Sequence, residues 1–304
     1  MKSFQLPSPL EQLTSNFLTK NDVQLFVKRD DLVHPMISGN KWRKLKHNIA
    51  AAKQQGKKQL ITFGGAFSNH LIATAAAGKL LGFKTIGIVR GEEPKKWSET
   101  LNDCKAEGMQ LKFISRSDYS LKNQTKFLEQ LEREYGESFI IPEGGANDLG
   151  SKGCKEIIQE IEVPFDFVCC SAGTGTTAAG ILSMLSHQNL LAFSALKGGG
   201  FLNQEILSYA DNQQKSDQLQ VLENYHFGGY AKVTEELIDF VNEFYRSYHL
   251  KLDLVYTAKL FFGVFDLIQR NCFPKGSLIV LIHSGGLQGN RGIESRGNFK
   301  LFDS

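Results

Sequence analysis

The sequence predicts an α/β protein built on parallel β-sheet, and three observations carry that reading. Short β-rich runs alternate with longer stretches that place apolar residues at three- and four-residue spacing. Several of the short runs are continuously apolar, as in strands buried on both faces. Glycines gather where those runs end, at Gly64-Gly65, Gly144-Gly145, Gly173/Gly175 and Gly285-Gly286. Strands alternating with helices argue for βαβ units. In open α/β sheets ligands bind at the carboxyl ends of the strands, so four such turns point to a site assembled from several loops.

Taken in order, the predicted strands are 24–28, 59–63, 85–89, 110–114, 138–141, 165–170, 191–195 and 278–283. The segment 253–259 (DLVYTAK) reads as a further strand running into a turn. Helical period marks 41–55, 68–81, 121–135, 234–248 and 259–271. No internal repeat, low-complexity tract or long linker interrupts the chain.

Composition narrows the function. The chain has 304 residues, 41% of them hydrophobic and 22% charged, enough for one large or two medium domains. Thirty-five Lys and Arg against 32 Asp and Glu, spread along the chain, argue against a nucleic-acid partner. The cluster Lys41, Arg43, Lys44, Lys46 is too short for such a footprint and needs its own explanation. The five cysteines, Cys104, Cys154, Cys169, Cys170 and Cys272, form no CxxC pair and fit a reducing compartment. The start of the chain lacks the apolar core of a signal peptide, and no stretch is long enough to span a membrane. A cytoplasmic location is expected, with no membrane partner and no metal.

The segment 164–182 (PFDFVCCSAGTGTTAAGIL) reads as a buried strand, a loop of small residues and a helix. Gly173 and Gly175 let the backbone approach a ligand. Thr174, Thr176 and Thr177 add hydroxyl donors, and the helix start offers unpaired N–H groups and a positive dipole end, which is chemistry for a phosphate. The loop is neither a P-loop nor a dinucleotide fingerprint. Taken alone, it also reads as a tight turn with no ligand.

Residues 38–46 read SGNKWRKLK, where Ser38 or Asn40 can cap a helix beginning near Lys41. Lys41 and Lys44 share one face of its first turn, where the dipole disfavours positive charge. A buried lysine there has a lowered pKa and is a better nucleophile toward an aldehyde. A solvated basic helix start explains the same nine residues. Residues 63–70 (FGGAFSNH) follow a strand, and the helix beginning near Ser68 can receive a carboxylate. Ser68 also reads as a plain N-cap, Asn69 can bond a ring oxygen, and His70 is assigned no catalytic role. Thr257 and Ser284 emerge from predicted strand ends, and Tyr230 and Tyr256 bring phenols to turns. Together these are the parts that a phosphorylated aldehyde cofactor needs: an anchor for phosphate, an amine and partners for a ring.

The motifs resemble the D-cysteine desulfhydrase and 1-aminocyclopropane-1-carboxylate (ACC) deaminase family of tryptophan-synthase-β-like, fold type II pyridoxal-phosphate enzymes. KRDDL resembles the family's KREDx, SGNKWRKLK its GGNKxRKLE, and GGAFSNH its G-x-x-Q-S-N-[HQ]. SAGTGTTAAG resembles S-x-[AT]-G-[ST]-x-x-A-G, LVYTAK resembles PVY[ET]GK, and HSGG resembles H-[TL]-GG. The match runs in the family's order from Lys28 to Gly286. The resemblance implies pyridoxal 5'-phosphate as cofactor, with Lys41 as its Schiff-base lysine and Lys44 near its phosphate. It further implies Asn69 at the ring hydroxyl, Gly173, Thr174, Gly175, Thr176 and Thr177 around the phosphate, and Ser68 at the substrate carboxylate. Tyr230 and Tyr256 would flank the substrate. The implied fold is a larger cofactor-binding domain, 1–47 and 152–304, with a smaller inserted α/β domain, 48–151, and the implied assembly is a homodimer.

Thr257 and Ser284 stand near the implied ring nitrogen, where deaminases of the family carry a carboxylate. A neutral hydroxyl weakens the electron sink, which favours α,β-elimination of D-cysteine to pyruvate, ammonia and sulfide over opening a cyclopropane. The alternatives are ACC deamination to 2-oxobutyrate and ammonia, D-serine dehydration, racemisation, or a non-catalytic protein that binds a phosphorylated metabolite. The substrate side departs from the family: Leu254 replaces a proline, Ala258 a glycine, GGYAK a GYG turn at Gly229, and LQGNRG from Leu287 an APALF.

Overall fold

The computed structural model describes residues 4–211, 213–297 and 299–302. Its strands are β1 (Leu10–Leu13), β2 (Gln24–Lys28), β3 (Gln59–Gly64), β4 (Lys84–Arg90), β5 (Gln110–Ile114), β6 (Ser138–Ile141), β7 (Phe167–Ala172), β8 (Asn189–Ser194), β9 (Leu219–Leu222) and β10 (Leu278–Ile282). They form two sheets, one ordered β1-β2-β10-β7-β8-β9 and one ordered β5-β4-β3-β6. Every pairing is parallel except that of β1 with β2. The predicted α/β class with mainly parallel sheets is the one observed.

Strand alternation builds the core. In β10, Ile279 and Leu281 point into one apolar cluster while Val280 and Ile282 point into another. In β8, Leu191 and Phe193 join the first cluster, and Leu190 and Ala192 the second. Period-two geometry sends adjacent residues to opposite faces, so a run with both faces covered is apolar throughout. Helices Glu235–Tyr248 and Thr257–Gln269 cover one face with interlocked aromatic rings, among them Phe240, Phe244, Phe261 and Phe265.

All four strands of the smaller sheet lie between residues 59 and 141. The chain passes between the sheets in helices Asn40–Gln54 and Asp148–Gln159, which pack on each other. The expected boundaries at 47/48 and 151/152 fall within these two helices. Their approach is close: a Cβ on Gly153 would lie 1.9 Å from the Arg43 carbonyl oxygen. Arg43 is fully buried and pairs with Asp30 at 2.9 Å and Glu160 at 2.5 Å. Lys28 reaches Glu160 at 2.8 Å, and Ser8 donates to Asp30 at 2.7 Å. Burial works against the Glu160 charge, yet Arg43 and Lys28 hold its carboxyl down at about 2. The KRDDL and GNKWRK segments are thus joined in one ion network, which fixes the helix start that carries Lys41.

Three expectations are corrected. Strands β1 and β9 were not predicted. Residues 253–256 form a turn rather than a strand, because the Asp253 carboxylate accepts the N–H groups of Val255, Tyr256 and Thr257. Neither Ser38 nor Asn40 caps the Asn40–Gln54 helix. The N-cap position is Gly39 at φ 64°, and no side chain caps it. A Cβ there would overlap the Ser284 carbonyl.

Candidate active site

Four strand-end turns surround a cavity of about 390 Å³, lined by Gly65, Gly144, Gly173, Gly175, Gly285 and Gly286 among others. Lys41, Lys44, Ser68, Asn69, Gly173, Thr174, Gly175, Thr177, Tyr230, Tyr256 and Ser284 all line it. Thr176 and Thr257 do not. Both are fully buried behind the wall.

Lys41 opens onto the cavity from the first turn of its helix, and its Nζ donates to Asn40 Oδ1 at 2.8 Å. Burial, then the neighbouring Lys44, pushes its ammonium down to about 7. The amine is therefore largely unprotonated just above neutrality, the state that attacks an aldehyde or takes a proton. Burial also lowers Lys44, whose Nζ reaches Thr174 Oγ1 at 3.4 Å. Asn40, left free of capping, donates to Thr177 Oγ1 at 2.9 Å. This bond ties the lysine-bearing helix to the glycine-threonine loop.

That loop leaves β7 and enters helix Thr176–Met184. Gly175 stands at its N-cap with φ 72°, and no side chain caps it. The first N–H groups of the helix are therefore left for a ligand, the arrangement that binds phosphate. Thr176 Oγ1 lies 3.1 Å from Thr174 Oγ1 and supports the loop from beneath.

Ser68 caps helix Asn69–Leu81 by accepting the Leu71 N–H at 3.3 Å, leaving its own proton free toward the cavity. The Asn69 Oδ1 atom is buried with no hydrogen-bond partner among the described residues. His70 Nε2 contacts Thr62 Oγ1 at 2.9 Å while Nδ1 has no partner among the described residues. Burial, then Lys41 and Lys44, holds this imidazole well below its ordinary pKa, so it is neutral at pH 7.

On the opposite wall the Tyr256 ring lies 6.0 Å from Lys41 Nζ and meets the Tyr230 ring edge-on at 6.0 Å between centroids. Burial raises the Tyr256 phenol well above its ordinary range and keeps it protonated. Thr257 Oγ1 accepts the Asp253 N–H at 2.7 Å and sits 2.9 Å from Asp253 Oδ1. Its hydroxyl is spent inside the turn, which corrects the expectation that it faces a ligand. Ser284 is the expected hydroxyl that does line the cavity.

Sequence reasoning missed Asn40, Arg90, Glu143 and Ser171, which also line the cavity. Arg90 ends β4 and Glu143 follows β6, so the strand-end rule applied to the glycines would have found both. Asp253 was missed as well. An aspartate just before a buried apolar run, with a threonine four residues later, is the available signal for its turn.

Comparison with known proteins fits this geometry. A family model described as pyridoxal-phosphate dependent enzyme matches residues 2–285. The chain belongs to that family. Within it, this pyridoxal-phosphate-dependent enzyme is 32% identical over 297 residues to a Pyrococcus horikoshii protein provisionally named a 1-aminocyclopropane-1-carboxylate deaminase, covering 93% of this chain and 90% of the other. It is also 32% identical to the Arabidopsis thaliana bifunctional D-cysteine desulfhydrase/1-aminocyclopropane-1-carboxylate deaminase, covering 93% and 77%. A solved ACC deaminase homologue superposes with a TM-score of 0.82 at 28% identity, covering 97% and 94%. The enzyme is thus an ACC deaminase/D-cysteine desulfhydrase-like lyase that depends on pyridoxal phosphate. The site's groups fit that cofactor: an amine of low pKa, an uncapped helix start beside Lys44, and the Asn69 oxygen, an acceptor unpartnered among the described residues.

Proposed function

We propose that the enzyme catalyses α,β-elimination of D-cysteine, or a closely related small D-amino acid, to pyruvate, ammonia and sulfide. The observation that carries this reading is the wall facing the lysine. Its groups at the cavity include the Ser284 hydroxyl and two phenols, with the Glu143 carboxylate beyond the phenols, while the Asp253 carboxylate is occupied by its own turn. Lys41 would hold the cofactor's aldehyde carbon, the Gly173–Thr177 loop with Lys44 its phosphate, and Asn69 its ring hydroxyl. Bound there, pyridoxal phosphate supplies a sink for the charge that develops at the substrate α-carbon.

The chain's own residues account for the remaining steps. Ser68 and the N-terminal amides of helix Asn69–Leu81 receive the substrate carboxylate. The Lys41 amine, released when the substrate's own amine takes its place, would take the α-proton. The Tyr256 phenol donates a proton to sulfur as the Cβ–S bond breaks, so that sulfide leaves neutral. Water then completes the conversion to pyruvate and ammonia. Tyr230, partly exposed, lines the cavity beside Tyr256. The same reading includes a larger domain of residues 1–47 and 152–304, a smaller one of 48–151, and a homodimer, the last tested by light scattering.

A second reading is ACC deamination. The Asp253 carboxyl carbon lies 3.4 Å from where a Cβ on Gly286 would stand, so a carboxylate is close behind the cavity wall. Product analysis decides between the two. The proposal expects equimolar sulfide and pyruvate from D-cysteine. Release of 2-oxobutyrate from ACC, with no sulfide from D-cysteine, overturns it in favour of the second reading.

A further inference from the structure

Lys259 is a buried cation that the reaction above does not use. It is 1% exposed and lies in the first turn of helix Thr257–Gln269, where the helix dipole disfavours positive charge. Asp253, the carboxylate whose charge acts on it, is already engaged by the N–H groups of its own turn. The lysine is satisfied by backbone instead. Its Nζ donates to the carbonyl of His226 at 2.8 Å and to that of Gly229 at 2.7 Å.

Each of those carbonyls also closes a tight turn. The Gly229 N–H bonds His226 O at 3.0 Å, and the Lys232 N–H bonds Gly229 O at 3.1 Å. One ammonium therefore sits inside two successive turns that share Gly229, and the next residue is Tyr230. The backbone there is strained: Phe227, Gly228, Gly229 and Ala231 have φ of 49°, 90°, 117° and 54°. Phe227 and Ala231 carry a Cβ in the left-handed region, so the double turn needs outside support to persist. Tyr230 is 43% exposed overall while its phenol is enclosed beside Tyr256, so its place at the cavity depends on the turn that carries it.

We propose that Lys259 is a positioning residue for Tyr230: its two charge-assisted bonds fix the double turn and hold the phenol against Tyr256 above Lys41. An apolar side chain of the same length would fill the space, but each carbonyl would lose a donor and the turn could relax. The lysine also couples the two tyrosines, because Tyr256 immediately precedes the helix that carries it. The inference rests on the proposed function only in treating Tyr230 as part of the substrate wall.

The test is Lys259→Met in the holoenzyme, with Lys259→Gln as the milder variant should the first not fold. Amide hydrogen exchange of the segment 226–232 is expected to rise by about tenfold or more, with strands β7, β8 and β10 unchanged. Unchanged exchange in 226–232, or loss of protection throughout both variants, overturns the local role. A second arm measures kcat/KM in two backgrounds. Lys259→Met should lower it by about tenfold when Tyr230 is present and by less than about twofold in Tyr230→Ala. Equal losses in both backgrounds overturn the coupling. Failure of the D-cysteine reading appears separately, as absence of sulfide from the unmodified enzyme, and leaves the exchange result standing.

Discussion

The two walls of the cavity are built by different means. The cofactor wall consists of local devices: a glycine-threonine loop, uncapped or serine-capped helix starts, and a lysine in a first turn. Each is recognisable within a few consecutive residues, and the Arg43 ion network and the Asn40–Thr177 bond join the pieces. The wall opposite depends on contacts distant in sequence. Lys259 supports the turns at 226 and 229, and Asn290 Oδ1 accepts the Leu254 N–H at 2.9 Å while its Nδ2 donates to Leu252 O at 3.0 Å. This is also the wall that departs from the family pattern. Leu254 stands where the family carries proline, so a buried N–H is present where proline has none. Asn290, from the equally divergent LQGNRG segment, accepts it. The lesson is that two segments which depart from the resembled motifs meet in one hydrogen bond, which a motif-by-motif reading scores as two separate changes.

The sharpest way to break the contrast is Lys41→Ala. Loss of the amine should reduce turnover by at least about a thousandfold and remove the borohydride-reducible pyridoxyl adduct from the peptide containing residue 41. Substantial activity in this variant would remove the cofactor wall from the chemistry. Next in size, Tyr256→Phe should lower kcat for D-cysteine by about 100-fold with little change in KM. The loss should nearly vanish with β-chloro-D-alanine, whose leaving group needs no proton. An equal loss with both substrates would make the phenol a packing group.

Asn290→Ala should weaken the protein by about 1–3 kcal/mol, the cost of a buried N–H left without a partner, measured by urea unfolding. Cofactor absorbance at saturation should not change, which would localise the effect to the substrate wall. The smallest effect concerns pH. Because burial and Lys44 hold Lys41 at about 7, reductive methylation of the apoprotein at this lysine should rise roughly tenfold between about pH 6 and pH 8. Surface lysines, with unperturbed pKa near about 10.4, should keep rising beyond that range. A Lys41 profile that follows the surface lysines would contradict the enclosed first turn.

The same contrast governs what could be read in advance. The central strands were legible because burial on both faces leaves an uninterrupted apolar signature, as in LIVLI of β10. Strands β1 and β9 are the edges of the larger sheet, four residues each and incompletely buried, so the signature was too short. Helix Asp148–Gln159 was not among the predicted helices; it contains Gly150 and Gly153, which lower helix propensity, yet Gly153 is what lets Arg43 come close. The 253–256 segment looked like a strand because it is apolar and buried, whereas one carboxylate folds it into a turn. Lys41, Lys44, Asn69 and the glycine-threonine loop were named from short motifs and the family resemblance they carry, and all but Thr176 line the cavity. Lys259 and Asn290 act through partners distant in sequence, which no window of a few residues contains, whereas Asp253 acts within a five-residue turn whose Asp-to-Thr spacing could have been read.

The Leu254–Asn290 bond also makes the two positions unequal. With proline at 254, Asn290 lacks one donor and can still meet the Leu252 carbonyl. With leucine at 254 and no asparagine, a buried N–H has no acceptor. The cost of changing the pair therefore depends on which residue changes first, an asymmetry that melting temperatures of the two single variants and the double variant would reveal.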